Sequence, residues 1–355
     1  MRPLPSLVRA ALALLAAALL ASVLVAPSGT AATASAYAPL NRPGPALHVA
    51  KATLAKALVC HNDLRTAPGE PVLLSPATGV TPVQNYSWNY ERAFRAQKRA
   101  WCTVTMPFHT LGDIQTAGEY LVYAIRTMHA KAGRRIAVMG HSQGGMSMRW
   151  ALRFWPDTRA MVDDVIGMAG SNHGTKAAAL SAPEGSKLPP ASLQQGAGSN
   201  FIKALNSGAE TFAGISYTEI YTHTDEVVQP NNTAANSSSS LHTGNGMITN
   251  VATQSVCHGD VFEHLTVGTI DPTTYALVMD ALTHKGPAVP SRIGRASCSK
   301  LYQPGVDPTN VQTYVQVLAA APGLLAVSVP FVNVVGAPEV SKEPALRCYV
   351  YADGC

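Results

Sequence analysis

The chain has 355 residues, of which 47% are hydrophobic and 13% are charged, and its formal net charge is +5. This length is enough to bury a substantial core without help from a metal or a partner. Basic residues are scattered, without long runs and without interleaved aromatic side chains, so the charge pattern does not indicate a nucleic-acid-binding protein.

The first residues have the pattern of a secretory signal peptide. Arg2 and Arg9 precede an apolar stretch over 10–26, and a run of small residues ends in an A-x-A pattern at 34–36. The apolar stretch is shorter than the roughly 20 residues that a spanning helix needs. We therefore expect a signal peptide over 1–36, a single domain over 37–355, and a secreted monomer with no stable membrane span.

The cysteine content agrees with export. An even number of cysteines in an exported chain indicates disulfides, although spacing alone does not choose among the 15 possible pairings of six. Because no two form a C-x-x-C pair, a zinc or redox site is not indicated. The six are Cys60, Cys102, Cys257, Cys298, Cys348 and Cys355.

Short apolar runs alternate with amphipathic stretches along the middle of the chain. Strands are predicted over 71–74, 103–105, 135–139, 165–169, 217–222 and 250–256. Helices are predicted from a cap at Asp113 to Gly133, and over 144–155, 201–205 and 272–282. This alternation predicts an α/β protein with a mostly parallel sheet and helices on both of its faces.

Three further segments depart from the alternation. Residues 176–200 are rich in Pro, Gly and Ser, which suits either a long surface connection or a small lid over an active site. Residues 229–246 are polar and are predicted to form a solvated loop. Residues 311–321 are predicted to form an apolar helix near the C-terminus.

The pentapeptide Gly140-His141-Ser142-Gln143-Gly144 follows a predicted strand and opens a predicted helix. A strand-to-helix turn this tight has room only for glycine two residues before and two residues after the serine. The turn exposes the serine hydroxyl and leaves the N–H of Gln143 free at a helix N-terminus, where it can stabilise an oxyanion. The pattern predicts Ser142 as a nucleophile.

A serine nucleophile needs a histidine base and an orienting acid, which follow in that fold as acid and then histidine. Asp225 comes just past the strand 217–222, at the same edge of the sheet as Ser142. Glu226 and Asp260 are the alternative acids.

His264 is the first choice for the base because it lies in a late loop before the last predicted helix. His258 is the reserve, while His242 and His284 are poorly placed. A second oxyanion donor is expected in the loop 75–82, where Thr78 offers both an N–H and a hydroxyl.

With these residues in hand, the chain resembles the lipase B family of α/β-hydrolases. The resemblance runs from about Pro71 to Ala321 and is carried by four stretches. These are the residues 71–74 with 76–79, the residues 142–145, the run Thr-Asp-Glu-Val-Val-Gln-Pro over 224–230, and Cys257 followed by His264.

The resemblance implies an α/β-hydrolase fold with a Ser142–Asp225–His264 triad and an oxyanion hole formed by Thr78 and Gln143. It implies that Val227, Val228 and the helix containing Leu318 line the acyl side of the substrate channel. His141 stands where the typical member has a tryptophan, so we expect it to affect the alcohol side.

The resemblance also implies the disulfides Cys60–Cys102 and Cys257–Cys298, which leaves Cys348–Cys355 as the third pair. It implies no cofactor and no metal, and substrates that are triacylglycerols or simpler esters, met at an oil–water interface. Two alternatives stay open: a short-chain carboxylesterase or polyester hydrolase with the same triad, and a hydrolase-shaped binding module without activity.

Overall fold

Seven strands form one sheet in the part of the chain that the computed structural model describes, residues 36–177, 187–310 and 336–355. The strands are β1 (Leu58–His61), β2 (Val72–Ser75), β3 (Trp101–Val104), β4 (Ile136–His141), β5 (Val162–Met168), β6 (Ser216–Tyr221) and β7 (Met247–Ala252). Their order across the sheet is β1-β3-β2-β4-β5-β6-β7. Only β1 pairs antiparallel, and the other six strands are parallel. The predicted mostly parallel α/β sheet is confirmed.

Ten α-helices of the described ranges connect or flank these strands. They are α1 (Lys51–Ala57), α2 (Pro82–Tyr86), α3 (Tyr90–Ala96), α4 (Ile114–Ala132), α5 (Gln143–Phe154), α6 (Pro190–Gln194), α7 (Asn200–Leu205), α8 (Thr253–Val256), α9 (His264–Val267) and α10 (Pro272–Thr283). The predicted ends of α4 are confirmed. Asp113 accepts a hydrogen bond from the N–H of Gln115, and Gly133 ends the helix in the left-handed conformation.

The two faces of the sheet carry two separate cores, because successive side chains of a strand point to opposite faces. Leu73 and Val138 pack on one face with α4 and α5. Leu74 and Met139 pack on the other face with α2, α3 and α10. The helices therefore lie on both faces, as the alternation of elements predicts.

One strand prediction was partly wrong. Residues 250–256 were expected to be a strand, but β7 ends at Ala252 and Thr253–Val256 forms a single helical turn. A short apolar run does not distinguish a strand from one buried helical turn. The strand β1 and the helices α1, α2, α3, α6 and α9 lie outside the predicted elements. His264 was expected in a loop, but it is the first residue of the short helix α9.

The structure contains three disulfides, in the pairs that the resemblance implies. Cys60–Cys102 joins directly opposed residues of β1 and β3. Cys257–Cys298 and Cys348–Cys355 are the other two pairs. None of the helices in the described ranges combines the length and the apolar composition needed to cross a bilayer.

Candidate active site

Ser142 lies in the turn between the end of β4 and the start of α5, at the carboxyl edge of the sheet. Its backbone is strained, with φ 55° and ψ −126°. A Cβ at Gly144 would lie 2.1 Å from the carbonyl oxygen of Ser75, and one at Gly140 would lie 2.3 Å from the carbonyl carbon of Gly144. Both positions must therefore be glycine for β2, β4 and α5 to meet, which is the condition that the G-x-S-x-G pattern predicts.

The structure brings Ser142, His264 and Asp225 into one hydrogen-bonded row. The Nε2 atom of His264 lies 3.0 Å from Oγ of Ser142, and its Nδ1 atom lies 3.0 Å from Oδ2 of Asp225. All three side chains are buried; relative exposure is 5% for Ser142, 2% for His264 and 5% for Asp225. The serine proton is therefore within reach of a histidine whose second nitrogen is held by a carboxylate.

The carboxylate of Asp225 is held on both oxygens. Its Oδ1 atom accepts hydrogen bonds from the N–H groups of Val227 and Val228, at 3.0 and 2.7 Å. Its Oδ2 atom accepts from the side-chain amide of Asn231 at 3.1 Å, in addition to His264. These contacts satisfy an ionised carboxylate and fix the oxygen that faces the imidazole.

The pKa of His264 reflects opposing influences. Burial lowers it, because the charged form loses hydration, while the charge and the hydrogen bond of Asp225 raise it. Glu226 and Glu263 add to the increase, and the net pKa is raised above the ordinary value of 6.5. The site therefore favours the protonated imidazole that a proton-accepting step would produce.

None of the alternative acids and bases takes part in this hydrogen-bonded row. His258 is exposed, and Asp260 accepts a hydrogen bond from the N–H of Phe262. Glu226 accepts from the backbone N–H of His264 at 3.3 Å and does not bond the imidazole. His242 is exposed, and His284 lies beside Asp280.

Thr78 and Gln143, the two predicted oxyanion residues, are in direct contact. The hydroxyl of Thr78 donates to Oε1 of Gln143 at 2.8 Å, and both side chains are buried. The side-chain amide of Gln195 donates to both of these oxygens, at 3.0 and 3.1 Å. As the first residue of α5, Gln143 has a backbone N–H without an intrahelical partner.

Thr110 fixes the loop that carries Thr78. Its hydroxyl lies 2.7 Å from the carbonyl oxygen of Ala77 and 3.1 Å from the N–H of Gly79, and bonds both groups. Its own carbonyl accepts from the side-chain amide of Gln143 at 3.1 Å. One residue therefore holds the Thr78 loop and the Gln143 side chain together.

The predicted substrate-binding residues have different environments. His141 is fully buried, with Nε2 2.9 Å from the carbonyl oxygen of His264. Val227 is half-buried, and Val228 is buried. Leu318 and the predicted helix 311–321 lie outside the described residues, as do residues 178–186 of the predicted lid. The described remainder of that segment includes α6 and Gln195.

Among the described residues, one group of carboxylates is close enough to hold a metal ion. Glu70, Asp163 and Asp164 each offer an oxygen within 4.8 Å of the others. They lie at the amino ends of β2 and β5, whereas Ser142 lies at the carboxyl end of β4. This group is therefore separate from the candidate active site.

Four residues of the site were missed in the sequence. They are Asn85, Thr110, Gln195 and Asn231, all of which are buried polar side chains bonded to the residues described above. A lone Asn, Gln or Thr has no motif and no periodicity, so only the folded contacts reveal it. Gln195 lies within the segment 176–200, which was interpreted as a surface connection or a lid. Its position in that segment was the one indication in the sequence that it could reach the site.

Comparisons with known proteins relate this site to lipases. The family Lipase (class 2) matches residues 120–266, a range that contains Ser142, Asp225 and His264. The chain is 31% identical over 339 residues to lipase B of Pseudozyma antarctica, an alignment that covers 91% of this chain and 92% of that protein.

Two solved structures are also similar to this chain. Aspergillus fumigatus lipase B matches with a TM-score of 0.74 and 30% identity, over 88% of this chain and 75% of that chain. The propeptide form of a Bacillus licheniformis lipase matches with a TM-score of 0.50 and 15% identity, over 65% of this chain and 54% of that chain, which is a likeness of fold alone.

Proposed function

Because the chain belongs to the lipase B family and is therefore an ester hydrolase, we propose that it is a secreted triacylglycerol lipase acting through an acyl-enzyme on Ser142. The observation that carries this proposal is the row of two 3.0 Å contacts from Ser142 through His264 to Asp225. A buried serine, an imidazole and a held carboxylate in this order form the arrangement that activates a hydroxyl at neutral pH.

In the first half of the reaction, Oγ of Ser142 attacks the ester carbonyl while Nε2 of His264 takes the hydroxyl proton. The tetrahedral intermediate collapses as the imidazolium gives that proton to the departing alcohol, which leaves an acyl group on Ser142. In the second half, Nε2 of His264 takes a proton from water while the water oxygen attacks the acyl carbonyl. The second tetrahedral intermediate collapses by breaking its bond to Oγ of Ser142, the imidazolium returns its proton to Oγ, and the carboxylic acid leaves. Asp225 keeps its charge throughout and stabilises the imidazolium.

The negative oxygen of each tetrahedral intermediate needs fixed donors. The backbone N–H of Gln143, at the N-terminus of α5, is one candidate, and Thr78 supplies a second through its N–H and hydroxyl. The contacts from Gln195 and Thr110 hold these two residues in place before substrate arrives. The Thr78 hydroxyl, which here donates to Oε1 of Gln143, has to turn toward the oxyanion during the reaction.

Three exposed apolar residues stand close in the sequence to residues of the candidate site, which supports a substrate presented at an oil–water interface. Val83 follows the Thr78 loop and is 66% exposed, Phe108 precedes Thr110 and is 42% exposed, and Val261 lies shortly before His264 and is 75% exposed. Large apolar side chains are usually buried, so the exposure of three of them on segments that also carry site residues suits contact with lipid.

The function is tested with p-nitrophenyl acetate, butyrate and palmitate, and with a triolein emulsion. We expect hydrolysis of palmitate and triolein that is lost in Ser142→Ala, while Ser147→Ala, a buried serine elsewhere on α5, retains it. Hydrolysis confined to acetate and butyrate would favour the short-chain esterase alternative, and full activity in Ser142→Ala would exclude the proposed nucleophile.

Secretion is tested on the full-length gene product in a secreting host. The leader pattern predicts that the protein appears in the medium with Tyr37 as its N-terminal residue, which N-terminal sequencing reads directly. The three disulfides support an oxidising destination. Recovery of the chain in the cell fraction with Met1 retained would contradict secretion.

A further inference from the structure

His141 lies directly against His264, and both of its ring nitrogens are engaged. The two rings have centroids 5.3 Å apart, and Nε2 of His141 lies 2.9 Å from the backbone carbonyl oxygen of His264. Its Nδ1 atom lies 3.4 Å from the side-chain nitrogen of Asn85. Asn85 in turn accepts a hydrogen bond from the N–H of Ala77 at 2.8 Å. A continuous chain of contacts therefore joins the loop of Thr78 to His264.

Only one arrangement of hydrogens satisfies this chain of contacts. The N–H of Ala77 requires the amide oxygen of Asn85, so the amide nitrogen faces His141. Nδ1 of His141 must then be the acceptor, and Nε2 carries the proton that it donates to the carbonyl of His264. Burial, reinforced by the charge that His264 carries when protonated, lowers the pKa of His141 to about 3, so the ring is neutral at working pH.

A second feature shows that space is kept for this ring. Gly268 has φ −86° and ψ −6°, a conformation that any residue adopts, so its backbone does not require glycine. A Cβ at this position would, however, lie 2.2 Å from Cδ2 of His141. The backbone of the segment that follows His264 therefore packs directly against the His141 ring, with no side chain between them.

We propose that His141 is a positioning residue for the proposed reaction. Its Nε2–H holds the backbone of His264, and its contact with Asn85 fixes the distance between His264 and the oxyanion loop. The inference rests on the proposed function, because it assigns the geometry of His264 to a residue whose ring bonds the backbone of His264 and not its imidazole. A base displaced by about 1 Å can lose about a hundredfold in rate, which is why a contact outside the reacting atoms matters.

The test compares His141→Gln with His141→Asn. The glutamine amide reaches the place of Nε2 and can donate to His264, whereas the asparagine amide reaches only the place of Nδ1. We expect His141→Gln to have a kcat about ten times that of His141→Asn on p-nitrophenyl butyrate, with KM values within about twofold, after active sites are counted with a phosphonate ester. Thermal unfolding of both variants is measured alongside.

Equal kcat values in the two variants, or a loss confined to KM, would overturn the proposal. A kcat ratio explained by different melting temperatures would reduce His141 to a structural role. If neither variant folds, ¹⁵N NMR of the wild type decides: Nε2 of His141 must be protonated and Nδ1 unprotonated from pH 5 to pH 9. A protonated Nδ1 would contradict the network whether or not the enzyme hydrolyses esters, while loss of activity in Ser142→Ala separately tests the proposed function.

Discussion

Asn231 and His264 bond the same oxygen of Asp225, Oδ2, from 3.1 and 3.0 Å. Asn231 is itself buried and is held by Ser237 and Ser239, so its amide is a fixed donor beside the carboxylate of Asp225. A hydrogen bond to a charged group contributes about 1.5–3 kcal/mol. The amide therefore determines which way Oδ2 points, and hence how firmly His264 is oriented.

Asn231→Leu should lower kcat by about tenfold or more with little change in KM, because the carboxylate loses one of the donors that orient it. Ester-hydrolysis kinetics at neutral pH measure this. Ser239→Ala is the control, since it removes a different partner of the Asn231 amide and leaves the contact with Asp225. Equal losses in the two variants would show that the effect comes from the surrounding loop.

Asp225→Asn should lower kcat by about 10⁴-fold while the protein stays folded, because the imidazole loses the charge that orients and stabilises it. The asparagine oxygen can still accept from the N–H groups of Val227 and Val228, so the loop has no reason to collapse. Circular dichroism and kinetics on the same sample measure both effects. Near-normal turnover would move the acid elsewhere, with Glu226 tested first.

The pH dependence of kcat/KM should have an acid limb with a midpoint above 6.5. In the proposed mechanism the neutral imidazole is the active form, and the pKa of His264 is raised, so activity should be lost at a higher pH than for an ordinary histidine. Glu226→Gln should move the midpoint down slightly, since Glu226 is one of the charges that raise this pKa. Activity that stays flat down to about pH 4 would exclude histidine as the base.

Much of this site could be predicted because its chemistry is tied to local sequence. Gly140 is required by the backbone of Gly144 in the same turn, and Gly144 is required by the carbonyl oxygen of Ser75 on the neighbouring strand, so both glycines mark the turn within one pentapeptide. The parallel order of strands brings Asp225 and His264 to the same edge. Asn231 and Asn85 could not be predicted in this way. Their roles depend on which side chain faces them across a loop, and no spacing or periodicity in a single sequence records that.

The fold predictions also succeeded where the signal was local and failed where it was ambiguous. The end of α4 at Gly133 was predicted because a glycine in the left-handed conformation is a local signal. The helical turn Thr253–Val256 was mistaken for strand because its apolar pattern fits either structure. The strand β1 lies at the edge of the sheet and pairs only with β3, and its partly exposed residues show no clear alternation.

Thr78→Val should lower kcat by about a hundredfold, because the hydroxyl that is to turn toward the oxyanion is removed while the shape of the side chain is kept. In the present structure that hydroxyl donates to Oε1 of Gln143. Thr78→Ser keeps the hydroxyl and is the matched comparison, expected to lose far less. Similar kcat values for the two variants would leave only the backbone N–H of Thr78 as a donor.

Glu70→Gln should stabilise the protein at alkaline pH and leave it unchanged near pH 4. Burial raises the pKa of Glu70, and the neighbouring Asp164 carboxyl raises it further, so the folded state holds a proton that the unfolded chain releases. Stability is then lost as pH rises from the ordinary carboxyl range through the raised pKa of the folded state. A glutamine stays neutral throughout, and we expect a melting temperature about 1–3 °C above wild type at pH 9.

Asp353→Asn, at an exposed position near the C-terminus, should show no such pH-dependent gain. A constant difference between Glu70→Gln and wild type from pH 4 to pH 9 would show that Glu70 is ionised in the folded protein.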